Sequence, residues 1–292
     1  MFAGVHTALA TPFRNGQIDA AAFKRLIDYQ FDNGIQGVVP AGTTGESPTL
    51  TYEEHDRIVA LAIEYTGGRG LVIAGTGSNS TAEAIQMTQA AEKAGAHASL
   101  QVCPYYNKPS QAGLVAHFKA IAESTSLPII LYSVPGRCGV EIGVDTVATL
   151  AITCRNIVAI KEAGGNAERV SQLVDATPEG FQILSGDDSL TLPFISVGAC
   201  GVISVASNLI PGVMNELVAK ANEGRFAEAL AIHEQYYALF NAFLKLDSNP
   251  IPIKAALALR GMMENELRLP LVPMDAARME QLRGLLGNLN LL

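Results

Sequence analysis

Lys161 closes the run Ile157-Val158-Ala159-Ile160, four apolar residues of the kind that fill a buried strand. Lysine is seldom buried without a partner. Strand alternation sets Ile157, Ala159 and Lys161 on one face and Val158, Ile160 and Glu162 on the other, so the adjacent Glu162 need not neutralise the amine. An amine with an ordinary pKa of about 10.4 is protonated at neutral pH, whereas attack on a carbonyl needs the neutral form. Burial disfavours the charged form, by as much as ~3 to 5 pKa units when complete. The chemistry suited to this placement is Schiff-base formation with a keto compound. The plainer alternative is a lysine at a strand end that reaches back to water.

Other reactive types follow similar apolar runs. Gly42-Thr43-Thr44-Gly45-Glu46-Ser47 comes after one, Tyr105 and Tyr106 after another, and Tyr132 ends a third with Arg137 just beyond. Ser185-Gly186-Asp187-Asp188 follows a later run, and Ile203 and Ser204 end the last. The Gly42–Ser47 segment lacks the lysine of a phosphate loop, but its N–H groups and hydroxyls could hold a carboxylate. Each residue also has a bland reading: an ordinary turn, rim tyrosines that only pack, and Arg137 as a solvated loop charge. The GTGSNS segment at 75–80 lacks the last glycine of a dinucleotide fingerprint. His6, His97, His117 and His233 are scattered without ligand spacing, so they read as structural and no metal site is expected.

The elements that must position these groups alternate in type. Candidate strands are 5–10, 37–41, 71–75, 97–103, 128–134, 157–162, 181–185 and 201–205, separated by amphipathic segments. One such segment stops at Gly34; another runs from an N-cap at Ser80 to Gly95. Eight strand-then-helix units predict an α/β fold, a (βα)8 TIM barrel, with a doubly wound sheet as the alternative. Residues 1–223 form the expected catalytic barrel and 224–292 a helical C-terminal region without strands. In a barrel the candidate groups all fall at the C-terminal strand ends, where such folds do chemistry.

Composition limits the function classes. The net charge of -8 argues against nucleic acid as a partner, since phosphate binding needs a basic surface. Cys103, Cys138, Cys154 and Cys200 are widely spaced in a chain too large to need disulfide staples, which predicts reduced thiols and a cytoplasmic location. The opening residues do not read as a signal peptide. Residues 190–214 carry no charge and are long enough to span a bilayer, but Pro193, Gly198, Gly201, Pro211 and Gly212 divide them into helix, strand and loop.

Five motifs in this order and spacing, GTTGES (42–47), PYYNKP (104–109), LYSVPGR (131–137), IKEA (160–163) and LSGDD (184–188), resemble the dihydrodipicolinate synthase family of pyruvate-dependent lyases and aldolases. The likeness covers essentially the whole chain, including NPIPIK at 249–254. It implies that Lys161 forms an imine with pyruvate, that Thr43 and Thr44 hold the pyruvate carboxylate, and that Gly186 and Ile203 belong to the substrate site. Tyr132 is then the general acid/base, linked to Thr43 and to Tyr106 from a neighbouring subunit, and Arg137 binds the carboxylate of L-aspartate 4-semialdehyde. No cofactor is implied; a homo-oligomer, commonly a tetramer built as a dimer of dimers, is. Ser133 stands where the family commonly has Asn, and Cys138 where Thr is frequent, which touches local loop geometry only.

The resemblance also implies feedback inhibition by L-lysine at Ser47, His55, Asn79, Glu83 and Tyr105. Pro48 and Tyr52 depart from the pattern there, and the bland reading of His55 and Glu83 is a pair of solvated helix residues. Competing functions are a relative such as N-acetylneuraminate lyase or a keto-deoxy sugar-acid aldolase, and a non-catalytic keto-acid sensor. Arg137 favours a short carboxylated aldehyde over long sugar acids, and Lys161, Tyr132 and Tyr106 together favour catalysis.

Overall fold

Eight apolar runs become eight parallel strands in the computed structural model, which describes all 292 residues. They are Gly4–Ala8, Gly37–Val39, Leu71–Gly75, Ala98–Val102, Ile129–Ser133, Ile157–Glu162, Gln182–Ser185 and Gly201–Ser204. Consecutive strands are neighbours, and the first pairs with the eighth through Gly4↔Gly201 to Thr7↔Ser204, so the sheet closes into a barrel. At that seam a Cβ on Gly201 would stand 2.0 Å from the Gly4 carbonyl oxygen, which is why glycine is required there.

The predicted spans 71–75 and 157–162 match the ladders, and the others differ only at their ends. Leu9, Ala10, Pro40 and Ala41 stay buried but leave the ladder to shape the barrel mouth. Apolarity reports burial, and burial outlasts strand pairing by a residue or two. Residues 190–214 resolve into a short helix (Thr191–Ile195), the eighth strand, a helical turn and the helix Pro211–Asn222, and no helix is long and apolar enough to cross a membrane.

The helices start where side chains can cap them. Asp19 accepts the Ala22 N–H ahead of Ala20–Asp32, and Thr51 and Glu54 form a reciprocal capping box at the start of Tyr52–Thr66. Ser80 caps Thr81–Ala94, which ends at Gly95 in the left-handed region (φ 96°). Beyond residue 224 the chain is helical, as expected: Phe226–Lys245, Ile251–Leu259 and Ala276–Asn288. These helices share one apolar core with the barrel through Leu239, Phe240, Phe243, Ile253 and Leu257. The loop between Lys245 and Ile251 lies against the barrel mouth, where Asn249 lines the central cavity.

Candidate active site

A cavity of about 610 Å³ opens at the C-terminal ends of the strands. Thr43, Thr44, Tyr132, Arg137, Lys161 and Gly186 line it, from the second, fifth, sixth and seventh strand ends. Ser47, His55, Glu83 and Tyr105 border the same space. Tyr106, Asn79 and Ile203 do not.

Lys161 is 6% exposed, and alternation holds: Glu162 points outward to Arg169 Nε (2.9 Å) and the Gly164 N–H (2.7 Å). Burial lowers the Lys161 pKa to about 8; Asp187 and Asp188 pull it up and Arg137 adds to the lowering. A glycine follows at 186 for a steric reason, since a Cβ there would come within 3.1 Å of Lys161 Cε and 2.7 Å of Ala163 Cβ. Tyr132 pairs with Lys161 across the ladder, and the amine lies 4.3 Å from the phenol ring centroid. Burial raises the Tyr132 pKa, opposed by the positive charge of Arg137. Burial also pushes Asp188 up to about 6; its Oδ2 accepts the Val205 and Ala206 N–H groups at 3.2 and 2.8 Å.

The Gly42–Ser47 turn is folded on itself by Gly45 N–H to Gly42 O (3.1 Å) and Glu46 N–H to Thr43 O (3.1 Å). Ala41 and Glu46 both take left-handed φ values of 55°, uncommon outside glycine. A Cβ on Gly45 would come within 3.2 Å of the Leu9 carbonyl and the Ala41 nitrogen, so a glycine lets the turn sit tightly against the first strand. Asn249 Nδ2 donates to Thr44 Oγ1 (3.0 Å), and the Asn249 carbonyl accepts from Arg137 Nη2 (3.1 Å).

The remaining candidates fall differently. Tyr106 is 89% exposed with φ 71°, projecting from a short turn that nothing in this chain covers. Ile203 is wholly buried and pairs with His6 in the ladder. His55 is not a solvated helix residue: it is buried, with Nε2 2.8 Å from the Gly75 carbonyl. Glu83 is half-buried and accepts from Ser78 Oγ (2.8 Å), while Asn79 Nδ2 donates to the Tyr105 carbonyl (3.1 Å). Ser133 is buried and accepts the Ile142 N–H at 3.4 Å, so the departure at this position ties down the loop after the fifth strand.

Asn249 is a site residue that the sequence reading placed only in a family motif. The signal that could have found its neighbourhood is Lys254, a lone charge within the apolar helix Ile251–Leu259, the same anomaly that marks Lys161.

Comparison with known proteins identifies the family of the chain and its fold. The model of the dihydrodipicolinate synthetase family matches residues 1–289. The 4-hydroxy-tetrahydrodipicolinate synthase of Sulfurihydrogenibium sp. (strain YO3AOP1) is 53% identical over 98% of both chains. Among solved structures, the 4-hydroxy-tetrahydrodipicolinate synthase of the thermoacidophilic methanotroph Methylacidiphilum fumariolicum SolV superposes with a TM-score of 0.98 at 54% identity, covering 99% of this chain and 96% of that one. The enzyme of Cyanidioschyzon merolae, solved with lysine bound, has a TM-score of 0.96 at 43% identity over 100% of this chain and 99% of that one.

Proposed function

The chain belongs to the dihydrodipicolinate synthetase family, and from that premise we propose that its cavity condenses pyruvate with L-aspartate 4-semialdehyde to give 4-hydroxy-tetrahydrodipicolinate, a lyase reaction of lysine and diaminopimelate biosynthesis. The observation that carries the assignment of roles is Lys161: a buried amine with a pKa near 8, against a buried phenol, in a cavity that also holds a hydroxyl-bearing turn and a guanidinium.

The neutral Lys161 amine attacks the keto carbon, and the carbonyl oxygen leaves as water with one amine proton and one proton from Tyr132, which leaves the imine protonated. Thr43 and Thr44 hold the pyruvate carboxylate meanwhile. The protonated imine withdraws electrons, so a methyl proton passes to the Tyr132 phenolate and an enamine forms. The enamine carbon then bonds to the aldehyde carbon, whose oxygen takes a proton from Tyr132. The semialdehyde's own amine finally adds to the imine carbon and displaces Lys161, closing the ring, and the surplus proton on the departing amine returns to the Tyr132 phenolate. One water is released overall, and each step is supplied by an amine, a phenol or a bound carboxylate, so no cofactor is needed.

Arg137 receives the semialdehyde carboxylate at the cavity edge, which favours this substrate over a long sugar acid. Tyr106 completes the proton relay from a neighbouring subunit in a tetramer; its exposure and left-handed backbone support a role outside its own chain. L-Lysine acts as a feedback inhibitor at the arm of the cavity bordered by Ser47, His55, Glu83 and Tyr105, with Asn79 behind Tyr105. A cytoplasmic enzyme with its catalytic barrel in residues 1–223 and a helical region in 224–292 belongs to the same proposal. The test is an assay with both substrates, together with borohydride reduction in pyruvate alone, which must place the adduct on Lys161.

A further inference from the structure

Glu46 and Lys254 are opposite charges whose side chains are wholly buried, with Lys254 Nζ 2.5 Å from Glu46 Oε1. Neither lines the cavity. Burying two charges costs desolvation that their attraction offsets only in part, and well-packed apolar residues often stabilise a fold as well. The use of such a pair therefore has to be sought in what it orients.

What it orients is the carboxylate-binding turn. Glu46 belongs to that turn, two residues after Thr44, and holds the left-handed conformation (φ 55°, ψ 36°) with its N–H bonded to the Thr43 carbonyl. Its two oxygens are both taken: Oε1 by Lys254 and Oε2 by the Arg268 N–H at 3.0 Å. Both cations are fixed in turn, since Lys254 Nζ and Arg268 Cζ lie 4.4 and 4.3 Å from the Phe13 ring centroid. Arg268 also reaches the Thr49 carbonyl (3.0 Å) just past the turn and grips both oxygens of Glu54. Asn249, on the segment leading into the helix that carries Lys254, donates to Thr44 Oγ1 (3.0 Å). The turn is thus held at Thr44 and at Glu46 by one short piece of the C-terminal region.

We propose that Glu46 and Lys254 are positioning residues: the buried pair fixes the direction of the Thr43–Thr44 donors and thereby sets the affinity of the site for the keto-acid carboxylate. This rests on the assignment of that turn to pyruvate. Groups that hold first-contact donors in place act through small displacements, and a misplacement of about 1 Å can cost on the order of 10²-fold in rate.

The test uses full-length Glu46→Gln/Lys254→Met, which removes both charges and leaves no buried charge unpaired, beside Glu46→Asp, which keeps both and shortens the reach by one methylene. Pyruvate half-saturation is read from borohydride adduct formation and from steady-state kinetics. The expected result is a rise in pyruvate half-saturation of about tenfold or more, with KM for the semialdehyde within about threefold of the unsubstituted enzyme, measured on variants shown by circular dichroism to be folded at the assay temperature. Unchanged pyruvate half-saturation in a folded variant overturns the proposal, and so does an equal rise in both KM values, which marks general loosening. Should the double variant fail to fold, Glu46→Asp decides alone. The unsubstituted enzyme reports separately on the premise: if it forms no pyruvate adduct on Lys161, the reading of the site has failed and the positioning role falls with it.

Discussion

Tyr132 and Lys161 are direct partners across the fifth and sixth strands, and the lysine amine lies 4.3 Å from the centre of the tyrosine ring. Because both side chains leave the sheet on the same face at the same level, any carbonyl bonded to the amine sits beside the phenol. The register of one strand pair sets the distance between the amine and the phenol, the proposed nucleophile and proton carrier.

Lys161→Ala should leave a folded protein that forms no borohydride-stable pyruvate adduct, measured by intact mass. In the unsubstituted enzyme the rate of adduct formation should follow the neutral amine. A lysine whose pKa is lowered to about 8 gains neutral form as pH rises through 8, so the rate should climb from acid pH and level off above about 8. A rate still climbing at pH 10 would mean an amine of ordinary basicity does the work.

Tyr132→Phe keeps the ring over the lysine but removes the proton, and kcat should fall by about 10²-fold or more while pyruvate capture persists. Tyr106→Phe should behave alike. Since Tyr106 does not line the active-site cavity of its own chain, activity per subunit should also drop on dilution below the dissociation constant of the assembly. Constant specific activity down to a demonstrated monomer would remove Tyr106 from the relay.

Arg137→Ala should raise KM for the semialdehyde with little change in pyruvate capture. The substitution also frees the Asn249 carbonyl, so a small effect on pyruvate is expected through Thr44. Impaired pyruvate capture with an unchanged semialdehyde KM would reverse the assignment.

Added L-lysine should inhibit partially, and Glu83→Ala should abolish the effect while leaving uninhibited turnover intact. A flat activity curve, with calorimetry showing no heat of binding, would rule the site out.

The barrel and most of its rim were legible because the relevant signals are local. Four apolar residues ahead of Lys161 announce a buried amine, and alternation alone puts Glu162 on the other face, where Arg169 meets it. Ile203 ends its strand as read, yet it is wholly buried, because position at a strand end does not specify which way a side chain turns. Of the two readings of His55, a member of a lysine site or one of a solvated helix pair, burial excludes the second, since the ring is enclosed and meets the Gly75 carbonyl of the neighbouring strand. Asn249 and Lys254 act on Thr44 and Glu46 from 205 and 208 residues away. Periodicity reports the face that a residue occupies, not the distant loop that meets it.

The hold of Asn249 and Lys254 on the turn has a bearing on how the protein is made. A ribosome releases this chain from the N-terminus, so the Gly42–Ser47 turn emerges early and waits for partners synthesised near the end. Strands that pair with their immediate successors can assemble meanwhile, since closing short loops is entropically easier than closing long ones. Every strand of the barrel is thus available before the turn is locked. A growing chain halted after residue 245 possesses Lys161 but lacks the grip on its Gly42–Ser47 turn, so the proposed substrate site is completed only in chains whose synthesis has nearly finished.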